Sequence, residues 1–300
     1  MTMDSKNRLV LVDGYAQIYR GFYAIRDLTN ARGDPTNALY AVARFMLRLE
    51  QELPCEYGSF VLDKGRPAKR MELLPEYKAT RPPMPDPLRS QLPLIREWVA
   101  AAGWPIMIEE GREADDLIAA VVEVREDRQT FIVSPDKDLA QLVRPGVSMY
   151  IPGKKGVADR LDPEAVEAKF GIPAESIVDY LAMIGDNVDN IPGISGVGPK
   201  TAVKLLQQFG DIDTMLSNTD AISSLTLRGK VQASAEILHR NQQLVALDST
   251  LPADWAGMDM LRRREPNWQA LLDMSRDNNF KSLTTTLQKA WADARNPTLF

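Results

Sequence analysis

One cysteine (Cys55) and one histidine (His239) occur in 300 residues. A single cysteine excludes an intramolecular disulfide and any cysteine-based zinc site, and makes a reducing cytoplasm the expected setting. A single histidine excludes multi-histidine metal centres, and Ser-His-Asp or Cys-His catalysis would need that one residue beside other catalytic groups. If the chain is an enzyme, it works with carboxylates, lysines or both. The longest apolar run, Trp98 to Ile108, falls well short of the ~20 residues that a membrane span requires. Met1 to Arg8 is polar with only Leu9 to Val12 apolar behind it, so neither an anchor nor a signal peptide is visible. Internal repeats of fixed period and low-complexity tracts are also lacking.

What is present is an ordinary globular composition, 44% apolar, in a chain long enough for one large domain or two. The net charge of −5, from 36 basic and 41 acidic residues, conceals an uneven distribution. Between Lys64 and Arg96 stand eight basic residues against three acidic ones, or +5, so the remainder carries about −10. One basic segment on an acidic body suggests two tasks, gripping an anion and holding something cationic.

The first half alternates strands with helices. Arg8 to Asp13, Gly58 to Asp63 and Thr130 to Ser134 are short apolar runs, each ending at or near an aspartate. Helical patterns cover Ala38 to Leu53, Leu88 to Ala102 and Ala114 to Val124. Buried strands alternating with helices imply the α/β class with a parallel sheet, whose function gathers at the carboxyl ends of the strands. Seven prolines between Lys64 and Pro93 preclude a continuous helix or central strand, although Arg70 to Lys78 can hold two helical turns. That stretch reads as a basic, partly helical excursion over the top of the sheet. The second half is mostly helical: Pro163 to Phe170, Ser176 to Ile184, Pro199 to Phe209, and a long helix near Gly229 to Ala246.

Asp13, Asp63 and Asp136 each follow a strand, so a parallel sheet points all three into one crevice. Glu113, Asp115 and Asp116 open a helix, Asp138 follows Asp136 by two, and Asp186 and Asp189 sit in the turn Gly185-Asp-Asn-Val-Asp-Asn190. Each aspartate alone is readily a helix cap or turn former. Nine converging acids, however, would repel strongly without compensation. Divalent cations resolve this, and ligation by oxygen alone favours Mg²⁺ or Mn²⁺ over zinc. Two such ions held by carboxylates are a standard device for phosphodiester cleavage, and a basic segment beside them can neutralise the scissile phosphate.

Gly193-Ile-Ser-Gly196-Val197-Gly198-Pro-Lys200-Thr201-Ala places a Gly-x-Gly turn before a helix with Pro199 at its first position. The turn is either a helix-turn-helix connector or, through its exposed amides, an anion site. It lacks the Gly-Lys-Thr ending of a nucleotide P-loop, and no strand precedes it. With Lys200 and Lys204 behind it, it suits a duplex backbone, which requires no sequence readout.

Six motifs, Leu11-Val-Asp-Gly14, Tyr77-Lys-Ala-Thr-Arg-Pro-Pro-Met-Pro85, Glu113-Ala-Asp-Asp116, Asp136-Lys-Asp-Leu-Ala-Gln-Leu-Val143, Gly185-Asp-Asn-Val-Asp-Asn-Ile-Pro-Gly193 and Gly196-Val-Gly-Pro-Lys-Thr-Ala202, together resemble the 5′-nuclease domain of bacterial DNA polymerase I, of the flap endonuclease family. The resemblance runs in order from about Arg8 to Phe280. It implies a PIN-like (resolvase-like) parallel sheet with helices on both faces at 1–160, a helical arch at about 64–93, a C-terminal helical domain at 161–293 with a DNA-binding helix-hairpin-helix at about 185–210, and a polar tail at 294–300.

The same resemblance implies that Asp13, Asp63, Glu113 and Asp115 ligate one metal and Asp136, Asp138 and Asp186 the other, with Asp115 near both and Asp116 and Asp189 supporting. It implies that Lys78, Arg81 and Arg70 meet the scissile phosphate. Gly196, Val197 and Gly198 match a hairpin that in the family also holds potassium against a DNA phosphate, with Lys200, Thr201 and Lys204 completing the DNA contact. Tyr15 and Tyr19 lie where the family stacks an aromatic on a base, unless they merely form a helix packing face. Pro135 stands where many relatives carry Gly or Thr-Gly, which alters turn stiffness rather than ligand identity.

The expected activity is Mg²⁺-dependent removal of 5′ flaps and 5′-terminal nucleotides from branched or nicked duplex DNA, in replication and repair. The expected protein is cytoplasmic, nucleoid-associated and monomeric. A non-catalytic binder of branched DNA and a PIN-like RNase are the alternatives. Loss of acids would favour the binder, and none is missing. The ending Asn296-Pro-Thr-Leu-Phe300 resembles peptides that dock on the bacterial sliding clamp, with Asn in place of the usual leading Gln, although a disordered end is the simpler reading.

Overall fold

The computed structural model describes residues 6–153 and 157–295. The tail expected to dock on a clamp, 296–300, lies outside them. The first half comprises β1 (Arg8–Asp13), α1 (Gly14–Ala24), α2 (Asn37–Glu52), β2 (Tyr57–Leu62), α3 (Ala68–Leu73), α4 (Asp86–Arg89), α5 (Leu92–Ala101), β3 (Ile106–Ile108), α6 (Ala114–Glu123), β4 (Gln129–Val133), β5 (Val147–Ile151) and β6 (Asp159–Leu161). These strands form one sheet in the order β3-β2-β1-β4-β5-β6, parallel throughout except for the antiparallel edge strand β6. Three of the strands were expected; β3, β5 and β6 complete the sheet.

β1 lies at the centre and is buried on both faces. Leu9 and Leu11 enter one core and Val10 and Val12 the other, the period-two alternation of a covered strand. The first core holds α6 and the second-half helices up to Val245. The other holds α2, α5 and, notably, the last two helices of the chain, which return to this face through Leu271, Leu272, Phe280, Leu283 and Leu287.

The second half comprises α7 (Pro163–Phe170), α8 (Ile177–Ile184), a two-residue hairpin of β7 (Gly185–Asp186) and β8 (Ile191–Pro192), α9 (Pro199–Phe209), α10 (Ile212–Ser217), α11 (Leu225–Ala233), α12 (Ala235–Val245), α13 (Trp268–Asp277) and α14 (Lys281–Arg295). Among the described residues no helix is long and apolar enough to cross a membrane.

Two expected helices are each split in two. The long helix over Gly229 to Ala246 breaks at Ser234, whose hydroxyl donates to the Lys230 carbonyl at 2.8 Å, a local bond that competes with the helix ladder. The helix over Leu88 to Ala102 breaks at Ser90 and Gln91, beside Pro93. The freed Gln91 side chain is buried and accepts from the amides of Ala38 and Leu39 at 2.9 and 3.2 Å, capping α2, whose own Thr36 makes no side-chain cap.

The hairpin after α8 explains two glycines of one motif. Gly185 has φ +69°, and a Cβ on it would lie 2.4 Å from the Gly193 nitrogen; a Cβ on Gly193 would lie 2.3 Å from the Ile184 carbonyl carbon. Backbone crosses backbone here, which only glycine permits. Asn241 on α12 secures the crossing by donating to the carbonyls of Ala182 and Pro192 at 3.0 and 2.7 Å. Gly198 differs: its φ is −103° and nothing lies within 4 Å of a Cβ placed on it. Gly193→Ala is therefore expected to lower the melting temperature by roughly 5 °C or more, and Gly198→Ala by less than about 1 °C. Differential scanning calorimetry of the two variants checks this; equal losses would mean that the crossing does not constrain the fold.

Candidate active site

Three strand ends deliver the expected carboxylates. Asp13 is the last residue of β1, Asp63 follows β2, and Asp136 stands three residues beyond β4. Each also satisfies a backbone amide. Asp13 caps α1 through Ala16 at 3.1 Å, Asp63 accepts from the Ala114 amide at the start of α6 at 2.6 Å, and Asp136 accepts from the Asp138 amide at 3.0 Å. Capping and convergence thus coexist. Asp13, Asp63, Asp115 and Asp136 line one cavity of about 330 Å³ together with Tyr15, Tyr19, Lys78 and Arg81. Glu113, Asp138 and Asp189 line an adjoining crevice with Asp115 and Asp136.

Crowding raises the proton affinity of these acids. Burial, with Asp63 and Asp136 nearby and despite bonds from Ser134 and Ala16, pushes Asp13 up to about 6. Asp115 lies well above the usual carboxylate range, from burial first and then Asp13, Asp136 and Asp63. Burial also raises Asp63. Asp138 is pushed up to about 7 by burial and then by Asp136, and its Oδ1 is buried without a hydrogen-bond partner.

The basic segment folds down onto the remaining acids. Arg70 pairs with Glu113 and, at 2.7 and 2.8 Å, with both oxygens of Asp116; Lys78 pairs with Glu113 and lies 3.6 Å from Asp189; Arg81 pairs with Asp189; Lys137 lies 2.9 Å from Asp186. Tyr77 is buried and donates to Glu113 and Asp189 at 3.2 and 3.3 Å. Lys78 adopts φ +57°, a left-handed conformation costly for a side chain with a Cβ, while its amide donates to the Asp189 carbonyl at 3.0 Å. Asp186 is held below the usual carboxylate range: burial works against its charge, but Lys137 and the amides of Val188 and Asp189 overcome it.

Burial distinguishes two of the expected residues from the others. Arg70 is buried, and all five of its N–H groups are engaged, since Nε donates to Leu244 and Nη2 also to Ala246 besides the bonds to Glu113 and Asp116. In this arrangement Arg70 braces these acids and ties α3 to the end of α12. Val197 buries its side chain in the core, which leaves the backbone of the turn as its outward part, while Gly196, Gly198, Lys200 and Lys204 are exposed and Thr201 is half-buried. None of these hairpin residues lines the acidic cavity. Sequence reading passed over Tyr77, Ser134 and Lys137. Tyr77 and Lys137 stood inside quoted motifs, but only packing gave them partners.

The architecture agrees with the relatives. Residues 8–171 match the family described as 5′-3′ exonuclease, N-terminal resolvase-like domain, and residues 172–269 match 5′-3′ exonuclease, C-terminal SAM fold. The chain belongs to the 5′-3′ exonuclease family. It is 36% identical over 294 residues to a 5′-3′ exonuclease of Aquifex aeolicus, covering 97% of this chain and 99% of that one. It is 37% identical over 287 residues to DNA polymerase I of Pseudomonas aeruginosa, covering 93% of this chain but 31% of that protein, so it spans about a third of the polymerase. The fold is shared with the T5 D15 flap endonuclease, solved with DNA and metal ions, at a TM-score of 0.64 and 19% identity, covering 94% of this chain and 98% of that one.

Among the described residues no three carboxylates stand arranged as a ready metal cage. Their chemistry nevertheless fits a hard divalent ion. The donors are all oxygen, they repel one another, and one buried oxygen of Asp138 is unpartnered. In the metal-free protein Asp138 faces Asp136, Asp186 and Asp189, with Lys137 its partial relief. Because its folded value of about 7 exceeds the usual 3.8, the folded state holds the proton more tightly, and stability falls as pH rises from about 4 to about 7. Asp138→Asn is expected to raise the melting temperature in EDTA by roughly 3 °C or more at pH 8 and little at pH 4.5. Thermal melts of both proteins across that range check the sign, and a variant less stable at pH 8 would contradict it.

Proposed function

We propose that this member of the 5′-3′ exonuclease family is a structure-selective nuclease. It hydrolyses phosphodiester bonds in DNA at 5′ flaps and 5′ ends, leaving a 5′-phosphate and a 3′-hydroxyl. The observation that carries this is the gathering of carboxylates from three parallel strand ends and the start of α6 into one cavity bordered by Lys78 and Arg81. Two divalent ions, Mg²⁺ or Mn²⁺, held among Asp13, Asp63, Glu113, Asp115, Asp136, Asp138 and Asp186, would supply the charge that polarises the scissile phosphate and acidifies the attacking water.

The chain's own residues do the rest. Lys78 and Arg81 reach the cavity from a turn on the basic segment, and each can pass from its carboxylate to a phosphate seated there. Such donors stabilise charge that develops in the transition state. Tyr15 and Tyr19 wall the same cavity with aromatic surface suited to stacking a base beside the cleaved bond. Arg70 and Tyr77 hold Glu113, Asp116 and Asp189 in place.

Away from the cavity, Gly196 and Gly198 expose the turn before α9, and Lys200 and Lys204 add charge for a duplex phosphate. A Cβ on Gly196 would lie 2.8 Å from Lys230 Nζ, so the chain's own cation stands at the turn for which potassium was expected. A monomeric, nucleoid-associated cytoplasmic enzyme accords with a DNA substrate.

Asp136→Asn and Asp63→Asn are each expected to reduce Mg²⁺-dependent cleavage of a labelled 5′-flap duplex by about a thousandfold while leaving flap binding in Ca²⁺ near wild type. Product gels with DNA and RNA flaps check this, and more than a tenth of wild-type activity in either variant would overturn the assignment. Lys78→Ala and Arg81→Ala should lose single-turnover rate with modest loss of affinity. Gly198→Ala and Lys200→Ala should lose affinity with the saturated rate retained, and Lys200→Ala should make the salt dependence shallower by about 0.9. A salt series of affinities beside single-turnover rates separates the two groups, and the reverse pattern would exchange their roles.

A further inference from the structure

Helix α1 starts in the catalytic cavity and leads out of it. Tyr15, Tyr19 and Tyr23 recur at four-residue spacing on one side of the helix. The rings of Tyr15 and Tyr19 lie 6.3 Å apart, and those of Tyr19 and Tyr23 lie 6.4 Å apart with 21° between their planes. The first two line the acidic cavity, whereas Tyr23 is 65% exposed. Each ring-to-ring step is close to twice the 3.4 Å rise of one nucleotide. Eight residues of helix cover about 12 Å, or three to four nucleotides.

The adjoining side of α1 borders a groove of about 560 Å³ between α1, α2 and α14. Arg20, Arg44 and Arg48 line it, and no acidic residue does, in a chain of net charge −5. Arg48 lies 3.6 Å from Glu52 outside the lining; Arg20 donates to the Gly153 carbonyl at 3.2 Å, and Arg44 rests over the Tyr40 ring at 5.8 Å. Among the described residues neither Arg20 nor Arg44 has a carboxylate within ion-pair distance. A groove lined by cations beside a row of stacked rings is the arrangement that binds single-stranded nucleic acid with little regard to sequence.

We propose that α1 and this groove bind an unpaired DNA strand leaving the cleavage cavity, its bases on Tyr15, Tyr19 and Tyr23 and its phosphates on Arg20, Arg44 and Arg48. This rests on the nuclease reading, because the row of tyrosines begins where that reading places the reacting phosphate. Tyr23 and the three arginines extend the contact beyond the residues that surround the acids. Because Tyr23 is largely exposed, its replacement should leave the fold intact.

The test uses the full chain in EDTA, with a twelve-residue oligothymidylate and a flap duplex carrying 2-aminopurine at successive unpaired positions. Tyr23→Ala is expected to weaken oligothymidylate binding roughly fivefold or more and to relieve 2-aminopurine quenching at one outer position, while Tyr23→Phe retains both. Arg20→Ala with Arg44→Ala should reduce the salt slope by about 1.4, or 0.7 for each phosphate contact on a single strand. A change of less than twofold for Tyr23→Ala, or an unaltered slope for the arginine pair, overturns the proposal. Cleavage of the same flap by the unsubstituted chain in Mg²⁺ is measured alongside. Cleavage with unaffected binding in the variants removes the strand site and leaves the nuclease; affected binding without cleavage removes the nuclease and leaves the strand site.

Discussion

Carboxylates brought together at the ends of parallel strands repel one another, and much of the remaining architecture supplies charge to hold them there. Backbone amides supply some of it: Ala16, Ala114 and Asp138 each donate to one of the three strand-end aspartates. Side-chain cations supply more, with Arg70, Lys78, Arg81 and Lys137 set against Glu113, Asp116, Asp189 and Asp186. The acids in the middle, Asp13 and Asp115, form no ion pair among the described residues, and burial with their neighbours' charges raises their proton affinity, Lys78 offsetting this only in part at Asp115. Desolvation and mutual repulsion act there in the same direction.

The division of labour among the cations follows from burial. Arg70, with every N–H used and little exposure, belongs to the frame; removing one partner from such a buried network leaves uncompensated charge. Lys78 and Arg81 are more open to solvent and border the cavity itself, so exchange of their partners costs less. Lys78 is also held in a left-handed backbone conformation by the turn on which it sits, which fixes the direction in which its side chain points. The basic segment is therefore two elements in one stretch of sequence, an anchored half and an exchangeable half.

The same centre organises the neighbouring helices. α1 begins at a capping aspartate of the site and carries aromatic rings from the cavity to the surface. The β7–β8 hairpin brings Asp186 and Asp189 from the second half to the carboxyl ends of the central strands, and its close crossing is locked by Asn241 of α12. The two halves of the chain share one hydrophobic core beneath these contacts, so the acids they contribute are held in a common frame.

By itself the sequence determined the α/β alternation, the central strand Arg8–Asp13, the helices Pro163–Phe170 and Pro199–Phe209, and the set of acids, because these rest on local periodicity, turn chemistry and motifs read within a few residues. The family followed from the order of six such motifs. Tertiary structure alone decided which cation faces which acid, and it buried Arg70 as a brace among Glu113, Asp116 and the end of α12. It also directed Val197 into the core, capped α2 with Gln91 from more than fifty residues away, and returned the last two helices to the first-half sheet. These outcomes depend on contacts between residues far apart in the chain. Charge balance and the capping of orphan amides are settled by whichever group packing brings within reach, and no local pattern in the sequence carries that information.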